Sequence, residues 1–242
     1  MNTPRLGDFV SLDSDTMLRA WGLGVLDDVE IADLARVCPA AYRTARARAG
    51  HRIDPSARVH PTAIIGEDVL IGPDVTVHEY STVRDGSVLS RGVNVGHNCE
   101  VIRTVLAQGV SLAHRISLGR TIVGPGAHLG ARILVASVHL WNQDMRAPDR
   151  EIIVRLPDGT AYGCGTPKFG AVLGDRCRVA PGVVMGPGTL IGPDTVVYGG
   201  VHLPGAVVPP HTVVRPRHDP TDTIQEPRRP HVSYLPVLEP AS

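Results

Sequence analysis

Aliphatic residues recur at every sixth position through most of the chain. The repeat starts at Val59 and continues to Leu203, with a few five-residue steps and one interruption between Val138 and Pro167. A glycine or alanine often follows the aliphatic residue, and Pro-Asp or Pro-Gly pairs stand between many repeats. One apolar position in six fits neither the period of an α-helix nor the alternation of a simple strand. The pattern predicts a coil of short strands, three to a turn, with a tight corner after each strand. An ordinary β-sandwich with regular turns is the alternative.

The first 50 residues have a helical pattern instead. One short helix is predicted after Ser14-Asp15, a good capping pair, with glycines ending it at 22 and 24. A second is predicted after Asp27-Asp28 and should end at Pro39, and a third should cover residues 40–49. We therefore expect a helical N-terminal segment over residues 1–50.

Two further segments break the repeat. Residues 139–167 lack it, and they contain a run that reads as a β-hairpin turning at Asp158-Gly159. Beyond residue 208 the chain is rich in proline. The predicted organisation is a β-helix over residues 51–208 with an inserted hairpin loop at 139–167, followed by an extended arm over 209–242. A large insertion in a regular coil usually marks its working face.

The composition agrees with a thin coil and excludes several classes of function. Aromatic residues make up only 4% of the chain, while Gly 26 and Pro 21 supply the corners. Lys+Arg 24 balances Asp+Glu 24, which argues against general nucleic-acid or anionic-membrane binding. All but one of the basic residues are arginines, and the exception is Lys168.

The compartment is inferred from the cysteines and the N-terminus. The four cysteines are widely spaced, with no CxxC pair, as expected for reduced thiols rather than disulfides or a zinc site. The first residues show no signal peptide, and no apolar run is long enough to span a membrane. These features predict a cytoplasmic protein without a metal.

Two motifs carry a resemblance to a known family. Residues 95–114 read VGHNCEVIRTVLAQGVSLAH and residues 168–175 read KFGAVLGD. The first is similar to VGNFVEVKKATLGDNVKAGH in the hexapeptide-repeat acyltransferases, in particular the C-terminal acetyltransferase domain of the N-acetylglucosamine-1-phosphate uridyltransferases. The second resembles KFGAIIGD of archaeal sugar-1-phosphate nucleotidylyltransferases. The resemblance implies an all-β fold, a left-handed parallel β-helix of hexapeptide repeats, and a homotrimer.

The resemblance also implies residue roles. The histidine that ends the first motif is the general base of the family, which assigns that role to His114. The acceptor-binding positions of the family fall on six residues: Arg84, Arg103, Ser117, His128, Asn142 and Lys168. Several of them depart from the family pattern, because Ser117 replaces a tyrosine, His128 replaces an asparagine, and the two family lysines become Ile102 and Arg103. These changes concern the identity of the acceptor and not acyl transfer itself.

The resemblance implies transfer of an acetyl or other short acyl group from acetyl-CoA or another acyl-CoA, the co-substrate, to the amine of an amino sugar or sugar phosphate. An imidazole suits proton removal because it changes charge near neutral pH. Small corner residues such as Ala180 and Gly199 would let the pantetheine arm lie close to the backbone, and Arg176 and Arg178 are candidates for its phosphates.

Three alternatives remain at this stage. One is O-acetyl transfer to a small hydroxylated acceptor, and another is a non-catalytic hexapeptide-repeat protein for ligand binding or assembly. The third is a carbonic anhydrase of the γ type, which also forms trimeric β-helices and binds zinc through histidines. It needs a His-x4-His pair, which the spacings from His97 to His114, His128 and His139 do not supply.

Overall fold

The computed structural model describes residues 3–216 and 223–227 as a parallel β-solenoid with a short helical segment at its N-terminus. The predicted fold class is confirmed: three sheets of short strands, each strand paired in parallel with the strand one coil earlier and one coil later, form a three-sided coil. The first sheet consists of Arg58–Val59, Thr76–Val77, Asn94–Val95, Ser111–Leu112, His128–Leu129, Arg178–Val179, Val196–Val197, Thr212–Pro216 and the antiparallel strand Thr223–Pro227.

The other two sheets complete the three sides. The second consists of Ile64–Ile65, Thr82–Arg84, Glu100–Ile102, Ser117–Gly119, Leu134–Val135, Val184–Met185 and His202–Leu203. The third consists of Leu70–Ile71, Val88–Leu89, Val105–Leu106, Ile122–Val123, Ala171–Leu173, Thr189–Ile191 and Val207–Val208. We call the corner between the first and second sheets the first corner, that between the second and third the second corner, and that between the third and first the third corner.

The six-residue repeat is the inner column of the coil. Its aliphatic residues stand at the second position of a two-residue strand or inside a three-residue one, and they point inward, so that Leu112, Leu118 and Val123 are each 0% exposed. Consecutive coils stack these side chains in one continuous core. The corners turn sharply enough to require the left-handed backbone region, and where glycine does not occupy it the residue is mostly arginine, aspartate or asparagine, as at Arg103 (φ 48°) and Arg120 (φ 52°).

The N-terminal segment covers the third sheet. It consists of two α-helices, α1 (Thr16–Ala20) and α2 (Leu34–Arg48), and four 3₁₀ turns, Leu6–Asp8, Leu12–Ser14, Gly24–Asp28 and Ile31–Asp33. A second apolar cluster joins the outward side chains of this sheet, such as Val105 and Ile122, to leucines of the segment, such as Leu18. The outer faces of the first and second sheets carry no such cover within the described residues.

One helix prediction was wrong. The second and third predicted helices are one helix, α2, which continues through Pro39 at its sixth residue. Proline removes the N–H that would bond to Ala35, and this normally ends or kinks a helix. The buried side of α2, formed by Leu34, Ala41 and Ala45, packs against the solenoid on both sides of Pro39, and this packing outweighs the lost hydrogen bond. The prediction of α1 was correct, since Asp15 caps it by accepting from the N–H groups of Met17 and Leu18.

The insertion leaves the coil at the second corner. It contains the hairpin predicted around Asp158-Gly159, with strands Ile153–Arg155 and Ala161–Gly163 paired antiparallel. The parallel ladder of the first sheet continues past residue 208 into Thr212–Pro216. Residues 217–222 and 228–242 of the predicted extended arm lie outside the described residues. The domain boundaries remain predictions.

Candidate active site

His114 lies at the first corner, directly after the strand Ser111–Leu112, with an exposed side chain. The preceding coil presents His97 at the equivalent position, and the backbone links the two corners through a 2.9 Å hydrogen bond from the N–H of Arg115 to the carbonyl of His97. The two imidazole rings are edge to face, with centroids 6.5 Å apart. Each coil therefore stacks its corner residue on that of the coil before.

A carboxylate and a tyrosine from the preceding coil surround His97. Its Nδ1 lies 3.2 Å from Oε1 of Glu79, although the alignment is poor for a hydrogen bond, and the Tyr80 ring is edge to face at 5.7 Å. The backbone N–H of Glu79 itself, and then His97, hold the pKa of Glu79 below its ordinary value. Glu79 is therefore a carboxylate at neutral pH, positioned to orient His97 beside His114.

A shallow groove of about 440 Å³ begins at Ala113, the residue before His114, and follows the first sheet toward later coils. Its walls are mostly small or flat residues: Ala113, His128, Gly130, Ala131, Arg178, Val179, Ala180, Pro181, Val196, Val197 and Tyr198. Gly130 has no room for a side chain, because a Cβ there would come within 2.7 Å of the backbone nitrogen of Pro181. The groove is thus a narrow path of close backbone approach, open to solvent on one side.

The structure brings three of the predicted cofactor residues to this groove. Arg178 and Ala180 line it, and Gly199 follows its wall residue Tyr198 at the next corner, where a Cβ would lie 3.0 Å from the carbonyl of Pro181. His128, predicted to bind the acceptor, also lines it. Arg176 does not, because it lies at the third corner and makes a bidentate ion pair with Asp194 at 2.7 and 2.9 Å.

Two predicted acceptor residues lie on the outer face of the second sheet. Arg84 contacts carboxylates on both sides, Asp85 at 3.4 Å and Glu100 at 3.2 Å. Ser117 donates a hydrogen bond to the other oxygen of Glu100, at 3.3 Å. Ser117 begins the strand that follows His114, so this polar row of Arg84, Glu100 and Ser117 starts next to the first corner.

The other three predicted acceptor residues lie elsewhere. Asn142 is occupied within the insertion, where its Oδ1 accepts from the backbone N–H groups of Asp149 and Arg150. Arg103 and Lys168 both line a cavity at the second corner, and the full width of the second sheet separates that cavity from His114. Within one chain, the structure therefore does not place these three beside the predicted base.

Sequence reasoning missed several residues around His114. Glu79 and Glu100 lie on the coils before it. The register of the repeat could have identified them, since residues one coil apart lie side by side in the fold. Arg215 was missed as well: its guanidinium lies 5.1 Å from the centre of the Tyr198 ring at the far end of the groove. In the part of the chain that is described, no cluster of three or more His, Cys, Asp or Glu side chains is arranged to hold a metal ion. Across the same residues, no helix combines the length and apolar character needed to cross a bilayer.

Comparison with solved structures returns acyltransferases of low sequence identity to this chain. The acetyltransferase domain of PglB from Neisseria gonorrhoeae FA1090 is 19% identical, with 68% of this chain and 63% of that chain covered and a TM-score of 0.23. AntD, an N-acyltransferase from Bacillus cereus, is 11% identical, with coverages of 74% and 84% and a TM-score of 0.33. The GDP-perosamine N-acetyl transferase from Caulobacter crescentus is 19% identical, with coverages of 88% and 90% and a TM-score of 0.23.

Comparison at the sequence level is narrower. No curated protein sequence matches the chain. The family model of the GMPPB C-terminal domain matches residues 49–143, which contain the first coils and His114. The chain is a β-solenoid of hexapeptide repeats, which is the fold that the resemblance to the hexapeptide-repeat acyltransferases implied. Its first coils are similar to the GMPPB C-terminal domain.

Proposed function

We propose that this protein transfers a short acyl group from acyl-CoA to the amine of an amino sugar, with His114 as the general base. The observation that carries the proposal is the position of His114 between two features: it directly follows Ala113, a wall residue of the groove along the first sheet, and it precedes the polar row of the second sheet. The groove would hold the acyl-CoA, and the polar row would hold the acceptor.

Proton transfer defines the role of His114. Its imidazole takes a proton from the acceptor amine as the nitrogen attacks the thioester carbonyl, the C–N bond forms, and the C–S bond breaks to release CoA. Glu79 and His97 act behind it by holding the imidazole in place through the ring contact. A backbone N–H at the corner stabilises the negative oxygen of the intermediate.

The groove suits the pantetheine arm because its floor is made of small residues and backbone. Arg178 lines it and Arg215 lies at its far end, so both are available to the phosphates of CoA. Glu100 and Ser117 offer hydrogen bonds to the hydroxyl groups or the ammonium of a sugar. Because carboxylates surround Arg84, this row favours a neutral or cationic sugar over a sugar phosphate.

The test is acetyl-CoA turnover, followed as free thiol, with a panel of amino sugars and their phosphates. His114→Ala should lower kcat by a factor of about 100 to 10,000, because general base catalysis contributes about that much. His202→Ala is the matched control, since this exposed histidine lies on the second sheet several coils away, and it should leave turnover unchanged. Equal turnover in His114→Ala and the wild type would refute the assignment of His114 as the general base.

Calorimetry separates the catalytic proposal from a non-catalytic one. Acetyl-CoA should bind the wild type, and Ala180→Phe, which fills the groove, should weaken that binding at least tenfold. A protein that binds no acetyl-CoA would be an assembly or ligand-binding solenoid instead. Turnover with hydroxylated acceptors but not with amines would assign O-acyl transfer.

A further inference from the structure

A cavity of about 350 Å³ lies at the second corner, between helix α2 and the solenoid. Three separate parts of the chain form it: α2, the corners of successive coils, and the base of the insertion, where the chain returns to the coil at Lys168 and Phe169. Its walls include the apolar side chains of Leu34, Ile122 and Phe169. Cavities of this volume hold small organic ligands.

The cavity is strongly basic. Five cationic side chains line it, and these are Arg43, Arg46, Arg103, Arg120 and Lys168. Two carboxylates, Asp68 and Asp85, also line it, and Asp85 already contacts Arg84. Among the carboxylates of residues 3–216, none lies within 4.0 Å of these five cations, whereas Arg84, Arg91 and Arg176 each make such a pair. The lining therefore carries a net positive charge, because its five cations outnumber its two carboxylates.

The fold forces these charges together. Arg103 and Arg120 occupy equivalent corner positions of successive coils, and both have left-handed backbone conformations. Burial, and then the neighbouring Arg103, lower the pKa of Arg120. Arg43 and Arg46 are three residues apart on α2, and side chains with that spacing share one face of a helix. The cavity therefore presents two pairs of arginines, one from α2 and one from the coil corners, with Lys168 beside them.

We propose that this cavity binds an organic diphosphate, of the nucleoside diphosphate class. Two arginine pairs match two adjacent phosphate groups, because guanidinium binds phosphate oxygens in a planar, bidentate geometry. The apolar wall accepts the uncharged part of the ligand. The site goes beyond the proposed acyl transfer, since the second sheet separates it from His114, and it gives Arg103 and Lys168 a role that does not require contact with the acyl acceptor.

The experiment is isothermal titration with ADP, GDP and inorganic pyrophosphate, with adenosine and guanosine as ligands that lack phosphate. ADP or GDP and pyrophosphate should bind, the nucleosides should not, and binding should weaken when NaCl is raised from 50 to 300 mM, because salt screens charge attraction. Arg43→Gln combined with Arg46→Gln should weaken binding by at least about tenfold, the effect expected from the loss of one charge-assisted hydrogen bond.

The matched control is Arg19→Gln combined with Arg150→Gln, two exposed arginines outside the cavity. This control should bind diphosphates as the wild type does. Circular dichroism and thermal melting confirm that each variant is folded. If the α2 variant is unfolded, Lys168→Gln replaces it, because that residue belongs to the base of the insertion rather than to the helix.

Three results would overturn the proposal. They are the absence of binding by every diphosphate, wild-type affinity in a folded Arg43→Gln, Arg46→Gln variant, and competition between saturating acetyl-CoA and pyrophosphate. The last result would assign the cations to the ADP end of acyl-CoA.

Acyl-transfer activity is measured in parallel. Turnover that persists in the α2 variant while diphosphate binding is lost supports two separate sites. Loss of turnover in His114→Ala alone does not affect the diphosphate assay.

Discussion

Single side chains at the corners form the proposed sites of this protein, because the strands between them are only two or three residues long through most of the coil. The first corner shows the consequence. His114 is stacked on His97, and His97 on Glu79 and Tyr80 of the coil before it. A residue at one corner is thus positioned by residues about one coil away in sequence, and not by its immediate neighbours.

The cysteines show the effect of the same packing on reactivity. Burial raises the pKa of Cys164 to about 11 and that of Cys177 to about 12, and it also raises the pKa of Cys38 to about 11 and that of Cys99 above its ordinary value. At pH 8 a thiol with a pKa of 11 is ionised in about one molecule in a thousand, and the thiolate is the reactive form.

We therefore predict that the native protein reacts with Ellman's reagent at pH 8 at least about 100-fold more slowly than glutathione. In guanidinium chloride all four cysteines should react quickly. Above pH 9 the unfolded chain ionises its thiols while the folded chain keeps them protonated, so the free energy of unfolding should fall as the pH rises. A rapid phase of one thiol per native chain would contradict the prediction.

At the scale of elements, the N-terminal segment is a cover fastened to the solenoid by specific polar contacts. Asp15 is completely buried, and its two oxygens have different partners: Oδ1 caps α1, and Oδ2 accepts a 2.8 Å hydrogen bond from the backbone N–H of Gln108 at the third corner. Asp175 forms a second link by accepting from the backbone N–H of Ser11 at 3.1 Å. These contacts fix the register of the cover on the third sheet.

Asp15→Ala should lower the free energy of unfolding by about 2–4 kcal/mol, because it removes a helix cap and leaves the partly buried N–H of Gln108 without its side-chain acceptor. The measurement is thermal unfolding, and the expected decrease in Tm is about 4–16 °C for a chain of this size. Asp149→Ala, at an exposed position of the insertion, is the control and should shift Tm by less than about 1 °C. Equal shifts in both variants would show that Asp15 does not fasten the cover.

At the scale of the whole molecule, the cover decides which faces remain for assembly. The third sheet is buried beneath the N-terminal segment, while the second sheet exposes Ile64 (64%) and Leu134 (47%) on its outer face. The resemblance to the hexapeptide-repeat acyltransferases implies a homotrimer, and only the first and second sheets are available to form one.

Light scattering should therefore give a mass of about three times the 25.8 kDa of the chain. Leu134→Asp places a charge on the exposed apolar row of the second sheet and should shift the mass toward the monomer, since burying an unpaired charge at an interface is costly. Val25→Asp, on the exposed side of the N-terminal segment, is the control and should leave the mass unchanged. A monomeric wild type would refute the trimer.

The sequence alone determined the solenoid, the capping of α1 and the position of the hairpin. Each of these depends on residues that are close together in the sequence: a six-residue repeat, a capping aspartate, or an Asp-Gly turn between two strand patterns. The inward column is so narrow that only aliphatic and small residues fit it, and the periodicity therefore specifies the fold almost without reference to anything distant in the chain.

Only the tertiary structure decided how the N-terminal segment packs on the solenoid and which charged side chains come together. Pro39 does not end α2, because contacts with the solenoid outweigh a local hydrogen bond. Arg43 and Arg46 face Arg103 and Arg120 because the cover folds back over the third sheet, and Lys168 joins them because the insertion closes at the same corner. Such contacts link segments far apart in sequence, and no local pattern records which of them will meet.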